Sequence, residues 1–176
     1  MRVGLPSFLT RLRRRKDGAT AVEFALVAPV FFALIFSMIE TGWLMTKASM
    51  LDYAVNNSSR MIYTGQAPTQ GALEQLLCDE AIIFPNCREN IVVELTVVDD
   101  FTSIPDTAAT CTDANTTPIK PVTEYVSGSG GEIVFLRVCI TTDVLTPGLG
   151  LGLALAESGE GRFEMVSSLA FMNEPF

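Results

Sequence analysis

The chain has 176 residues, 48% of them hydrophobic and 18% charged, with a formal net charge of −8 and no histidine. That length suits one small domain plus an anchoring segment, and the missing histidine excludes nucleophile–histidine catalysis and most zinc chemistry. The charge is divided: residues 1–18 carry six Lys/Arg and one Asp (+5), residues 19–176 carry six Lys/Arg and 19 acids (−13), so the body repels phosphates and a nucleic-acid partner is not expected.

The chain opens on a basic stretch that runs through Arg13-Arg14-Arg15-Lys16 and Asp17 to Gly18. Ala19-Thr20-Ala21-Val22, Glu23 and Phe24 follow, and the 16 residues from Phe24 to Ile39 carry no charge. Taken from Ala19 to Met45, this predicts a transmembrane helix of about 40 Å. That exceeds the roughly 30 Å hydrocarbon core, so a modest tilt or a protruding end is expected. The basic flank predicts an N-terminus on the cytoplasmic side, with the acidic remainder across the membrane. Glu23 and Glu40 lie about 25 Å apart along such a helix, near opposite headgroup layers. Trp43 reads as an interfacial anchor and Glu40 as a plain interfacial residue. Pro29 removes one helical hydrogen bond and predicts a local kink. A cleavable secretory signal needs a shorter apolar core and an Ala-x-Ala-like site after it; the only candidate is Thr46-Lys47-Ala48, a poor match.

Gly18 with Glu23 as the fifth residue after it resembles the processing site of type IV pilin-like proteins. The longer string Gly-Ala-Thr-Ala-Val-Glu-Phe-Ala-Leu-Val-Ala-Pro, Gly18 to Pro29, is similar to the TadE-like family, minor pseudopilins of the tight-adherence (type IVb, Flp) pilus. The final Asn173-Glu174-Pro175-Phe176 also resembles the family's ending. Resemblance to general secretion pseudopilins is looser, because Ala19 stands where they usually carry phenylalanine. The TadE-like resemblance implies cutting between Gly18 and Ala19 by a prepilin peptidase and retention of the helix in the bacterial inner membrane. It also implies partners: other pilin-like subunits and the inner-membrane assembly platform. Glu23 would pair with the free amine of a neighbouring subunit's Ala19. An unpaired carboxylate in lipid costs a few kcal/mol, much of which a cationic partner offsets. The alternative is an uncleaved, signal-anchored periplasmic binding module; a third reading, a secreted adhesin, requires a cut after the helix.

Past the membrane, Leu44, Ala48, Leu51, Val55 and Ile62 form one apolar stripe, with Lys47, Asp52, Asn56 and Arg60 opposite. A single helix from about residue 20 to 63, roughly 65 Å long, is therefore expected to end at Gly65 and Pro68. Residues 69–78 read as a short amphipathic helix with Thr69 as cap. Three strands follow. Asn90 to Val98 alternates with Ile91, Val93, Leu95 and Val97 on one face. Glu132 to Thr142 groups Val134, Leu136, Val138 and Ile140. Arg162 to Met172 groups Phe163, Met165, Leu169 and Phe171. The fold class expected is α+β and pilin-like: a long N-terminal transmembrane helix packed on a small antiparallel sheet. The organisation expected is a leader at 1–18 that is removed, a span at 19–45, a helical extension at 46–64 and a periplasmic domain at 65–176.

Residues 99–131, rich in Thr, Asp, Pro, Ser and Gly, are either a partner-contact surface or a passive loop. The uncharged stretch Pro147 to Ala156 reads first as a locally packed loop, then as one touching the membrane surface, then as one buried in a neighbour. Four cysteines, Cys78, Cys87, Cys111 and Cys139, in an exported domain suggest two disulfides, for which sequence allows three connectivities. The preferred pairing, Cys78–Cys87 with Cys111–Cys139, closes two successive loops. No CxxC knuckle points to zinc. The pairs Asp79-Glu80 and Asp99-Asp100 fit no EF-hand loop and read as solvated acidic surface. Gly128-Ser129-Gly130-Gly131 lacks the strand–helix setting of a phosphate loop. No enzyme activity, cofactor or metal is expected.

Overall fold

The computed structural model describes residues 18–66, 68–100, 102–104, 109, 111, 123–155 and 162–175. The basic leader before Gly18 and most of the 99–131 loop therefore lie outside the described residues. Helix α1 spans Ala19–Tyr63, 45 residues or about 68 Å. It runs through Pro29 without interruption, although the ring leaves the Ala25 carbonyl without its helical donor. It ends at Thr64, whose N–H closes the last turn on Arg60 O at 3.2 Å.

Helix α2 spans Gln70–Glu80, and the Thr69 side chain caps it by accepting from Ala72 N at 3.4 Å. A one-turn helix α3, Cys87–Asn90, leads directly into strand β1, Ile91–Val98. Strand β2, Ile133–Asp143, is central, and β3, Arg162–Met172, closes the antiparallel sheet in the order β1-β2-β3. The register pairs Leu95 with Leu136 and Val134 with Phe171. The sheet is therefore the α+β architecture expected, with strand limits within a residue or so of the alternation. A short helix α4, Gly150–Leu155, lies in the β2–β3 connection.

The core forms where α1's second half crosses the sheet. Leu51, Val55 and Ile62 meet Leu73 and Leu77 of α2 and the inward faces of the strands, Ile91, Val93, Leu95, Val134, Leu136, Val138 and Ile140. Strand β2 is buried on both faces. On the far side Cys139 joins Val92 and Cys111 in a second, smaller cluster, and Arg137 lies over the Phe135 ring at 5.0 Å with its guanidinium 3.4 Å from Glu94. Disulfides link Cys78 to Cys87 and Cys111 to Cys139. The first ties α2 to α3. The second pins the long β1–β2 connection onto the outer face of the central strand.

Candidate functional site

Gly18 and Glu23 lie at the start of α1, Gly18 ahead of its first turn and Glu23 in its second. Gly18 is the N-cap, at φ −95° and ψ −6°, an ordinary backbone conformation, and a methyl group added there would meet nothing within 4 Å. Nothing among the described residues calls for glycine at this position. Glu23 lies about 7.5 Å further along the axis and is exposed, as are its neighbours Val22 and Phe24. An 18-residue window of α1 has a mean hydropathy of 2.3 with no part buried inside the protein. By length and composition this helix can cross a bilayer.

Further along, α1 meets the domain through a face that is polar where the apolar stripe begins. Ser37, Glu40, Leu44, Lys47 and Leu51 recur at spacings of three and four, so they share one side of the helix. Glu40 is fully buried. Its carboxylate accepts from Leu145 N at 2.8 Å, Thr146 N at 2.7 Å and Thr146 Oγ1 at 2.8 Å. This corrects the reading of Glu40 as a plain interfacial residue: it is the anchor that holds the β2–β3 connection to the helix. The reason is geometric, since two consecutive backbone N–H groups leaving β2 point at this face and need an acceptor.

Lys47 is corrected in the same way. It was placed opposite the stripe, yet it is buried, and its ammonium donates to Thr142 Oγ1 at 2.6 Å and to Asp143 O at 3.1 Å. The aromatic rings of Trp43 and Phe84 lie 5.5 and 6.0 Å from Nζ. Burial pulls its pKa below the ordinary lysine value, while the carboxylates of Asp143 and Glu40 pull it back up. Asp52, also expected opposite the stripe, accepts from Ser167 Oγ of β3 at 2.6 Å.

The chain terminus also has a physical role that no pattern in the sequence announced. Asn173 is buried, and its Nδ2 donates to Ser127 O at 2.9 Å and Ser129 O at 3.2 Å. Its backbone pairs with Glu132 O and Gly131 N, and Glu174 N reaches Tyr63 O at 3.0 Å. The terminal segment thus fastens the 127–131 turn and the end of α1 together. Gly128 sits in that turn at φ +71°, with a methyl group there 3.2 Å from Asn173 Nδ2, so glycine is needed on both counts.

Between α1, α4 and β3 lies an open apolar groove of about 370 Å³, bordered by Leu44, Met45, Leu151 and Phe163. Of the 99–131 loop, residues 123–126 run along β1: Leu95 N donates to Glu124 O and Val126 N to Leu95 O. The Tyr125 hydroxyl donates to Pro68 O at 2.6 Å. Burial, with the Glu74 charge adding to it, raises its pKa to about 12.

A bare apolar helix, continuous with a second half that docks on a three-stranded antiparallel sheet, is the α+β arrangement expected of a membrane-anchored, pilin-like protein. Residues 18–60 match the model of the TadE-like protein family, so the chain is similar to that family along most of α1, and the resemblance carried by Gly18 to Pro29 is borne out. No curated protein and no solved structure matches the chain.

Proposed function

We propose that this protein is a minor pseudopilin that assists assembly of a tight-adherence pilus. In this reading residues 1–18 form a cytoplasmic leader that a prepilin peptidase removes between Gly18 and Ala19. Residues 19–45 then hold the protein in the inner membrane, with 46–64 and the domain at 65–176 in the periplasm. Glu23 receives the free Ala19 amine of an adjoining pilin-like subunit. The observation that carries this reading is the state of Gly18 and Glu23 on the matched helix. The fold needs neither residue: Gly18 has an ordinary backbone conformation with open space around it, and Glu23 is exposed on an otherwise apolar surface. Residues that folding does not require, on a segment that matches the family, answer to outside partners, here a peptidase that accepts only a small residue and a cationic amine in lipid.

The experiment is mass spectrometry of the terminal peptide from the membrane-bound protein. A chain starting at Ala19, and retention of the leader in Gly18→Leu, are the expected outcomes. An intact leader on the wild-type protein, or normal maturation of Gly18→Leu, overturns the processing step.

A further inference from the structure

We propose that the connection between β2 and β3, residues 144–155, is a second membrane element: it inserts beside α1 into the leaflet nearest the domain, with Leu145, Leu149 and Leu153 against lipid acyl chains. The inference rests on α1 being in the bilayer, and not on its processing.

Depth carries the argument. Leu151 N donates to Ser37 Oγ at 3.1 Å, and the Ser37 hydroxyl in turn donates to Ala33 O at 2.7 Å. Gly150, at φ +53°, lies so close to α1 that a methyl group on it would collide with Ser37 Oγ and come within 3.0 Å of Ala33 O. Both helix residues belong to the uncharged run from Phe24 to Ile39. The 21 residues from Ala19 to Ile39 make about 31 Å of helix, enough for a hydrocarbon core of roughly 30 Å. Ser37 then sits about 3 Å, and Ala33 about 9 Å, below the boundary on the domain's side. Any bilayer position that covers the uncharged run puts Gly150 and Leu151 inside it as well.

Composition and hydrogen bonding agree with that placement. Residues 144–155 hold no charged side chain, although residues 19–176 together carry a balance of −13. Three leucines of this short connection point outward, Leu145, Leu149 and Leu153, at 55%, 50% and 64% exposure. Backbone polar groups are tolerated in lipid only when satisfied internally. Here Glu40 takes the N–H groups of Leu145 and Thr146, Ser37 takes that of Leu151, and Thr146 O takes that of Leu149. Pro147 has none to satisfy. Leu34 and Met38, in the same stretch of α1 as Ala33 and Ser37, are also exposed, so the helix too presents apolar surface at this depth. A second protein chain is the other possible cover, and the test separates the two.

Trp43 is the single tryptophan, so Trp43→Phe supplies a silent background. In the full chain reconstituted in phosphatidylcholine vesicles, Leu153→Trp and separately Leu149→Trp report on the connection, Phe31→Trp on the span and Tyr53→Trp on the domain. The first three are expected to show blue-shifted emission and quenching by dibrominated acyl chains; Tyr53→Trp is expected to show neither. Quenching at position 31 but not at 149 and 153 overturns the proposal while α1 still spans, red emission then meaning water and blue emission a covering protein. No quenching at position 31 removes α1 from the bilayer, and the proposal falls with it.

Discussion

Glu40 and Lys47 set the stability of the helix–domain junction. Both are long, charged and buried on the docking face of α1, and each is held by groups at the end of β2 or just beyond it. Glu40→Ala strands two backbone N–H groups and one hydroxyl with no acceptor. The expected cost is about 2–4 kcal/mol, with Glu40→Gln costing less because it keeps an acceptor oxygen. Thermal melting of the detergent-solubilised protein measures both, and equal melting temperatures for wild type and Glu40→Ala would contradict the anchoring role. Tyr125 gives a pH signature. Its folded pKa of about 12 stands above the ordinary value of 10, so the neutral hydroxyl stabilises the fold fully below pH ~10 and that contribution is lost as pH rises from 10 through 12. Allowing for solvent screening of a half-exposed group, about 1 kcal/mol is at stake. Tyr125→Phe is expected to flatten that part of the stability–pH curve, measured by chemical denaturation between pH 9 and 11.5.

At the scale of elements, α1, α2 and the three strands were legible from periodicity. Alternation in β1, β2 and β3 marked the inward faces, except that Val97 near the end of β1 is exposed and outside the core, and the i, i+3, i+4 stripe marked the second half of α1. The charged members of that stripe escaped notice because a pattern that counts only apolar residues assigns Glu40 and Lys47 to the interface or to water. They are buried because that part of α1 faces the polar end of β2 and the backbone beyond it, rather than apolar strand side chains. The Cys111–Cys139 bond holds an irregular segment to β2, and with a separation of 28 residues it closes a longer loop than Cys78–Cys87, separated by nine. The loop-entropy relation gives about 3.5 kcal/mol for the longer and about 2.5 kcal/mol for the shorter. Paired serine variants, unfolded by denaturant, should rank in that order. The reverse ranking would place the stabilisation in local contacts of α2 and α3 instead.

On the scale of the molecule, the chain divides into a helix half that a soluble environment cannot cover and a half that the domain covers. Glu23 is exposed and lies about 15 Å along α1 before Ala33, where the described domain residues first approach the helix, so Glu23→Ala is expected to leave folding, melting temperature and leader removal unchanged while abolishing incorporation into pili, read by immunoblot of sheared surface fractions. Incorporation at the wild-type level would remove its pairing role. The sequence by itself determined the long apolar helix, the family signature at its start and the α+β class, because each is a local pattern of spacing or composition. Only the tertiary structure decided where the β2–β3 connection lies, what Asn173 fastens and what Glu40 and Lys47 do. Those answers depend on which unsatisfied backbone groups arrive beside a given side chain from 44 to 106 residues away, and no local pattern encodes such a meeting.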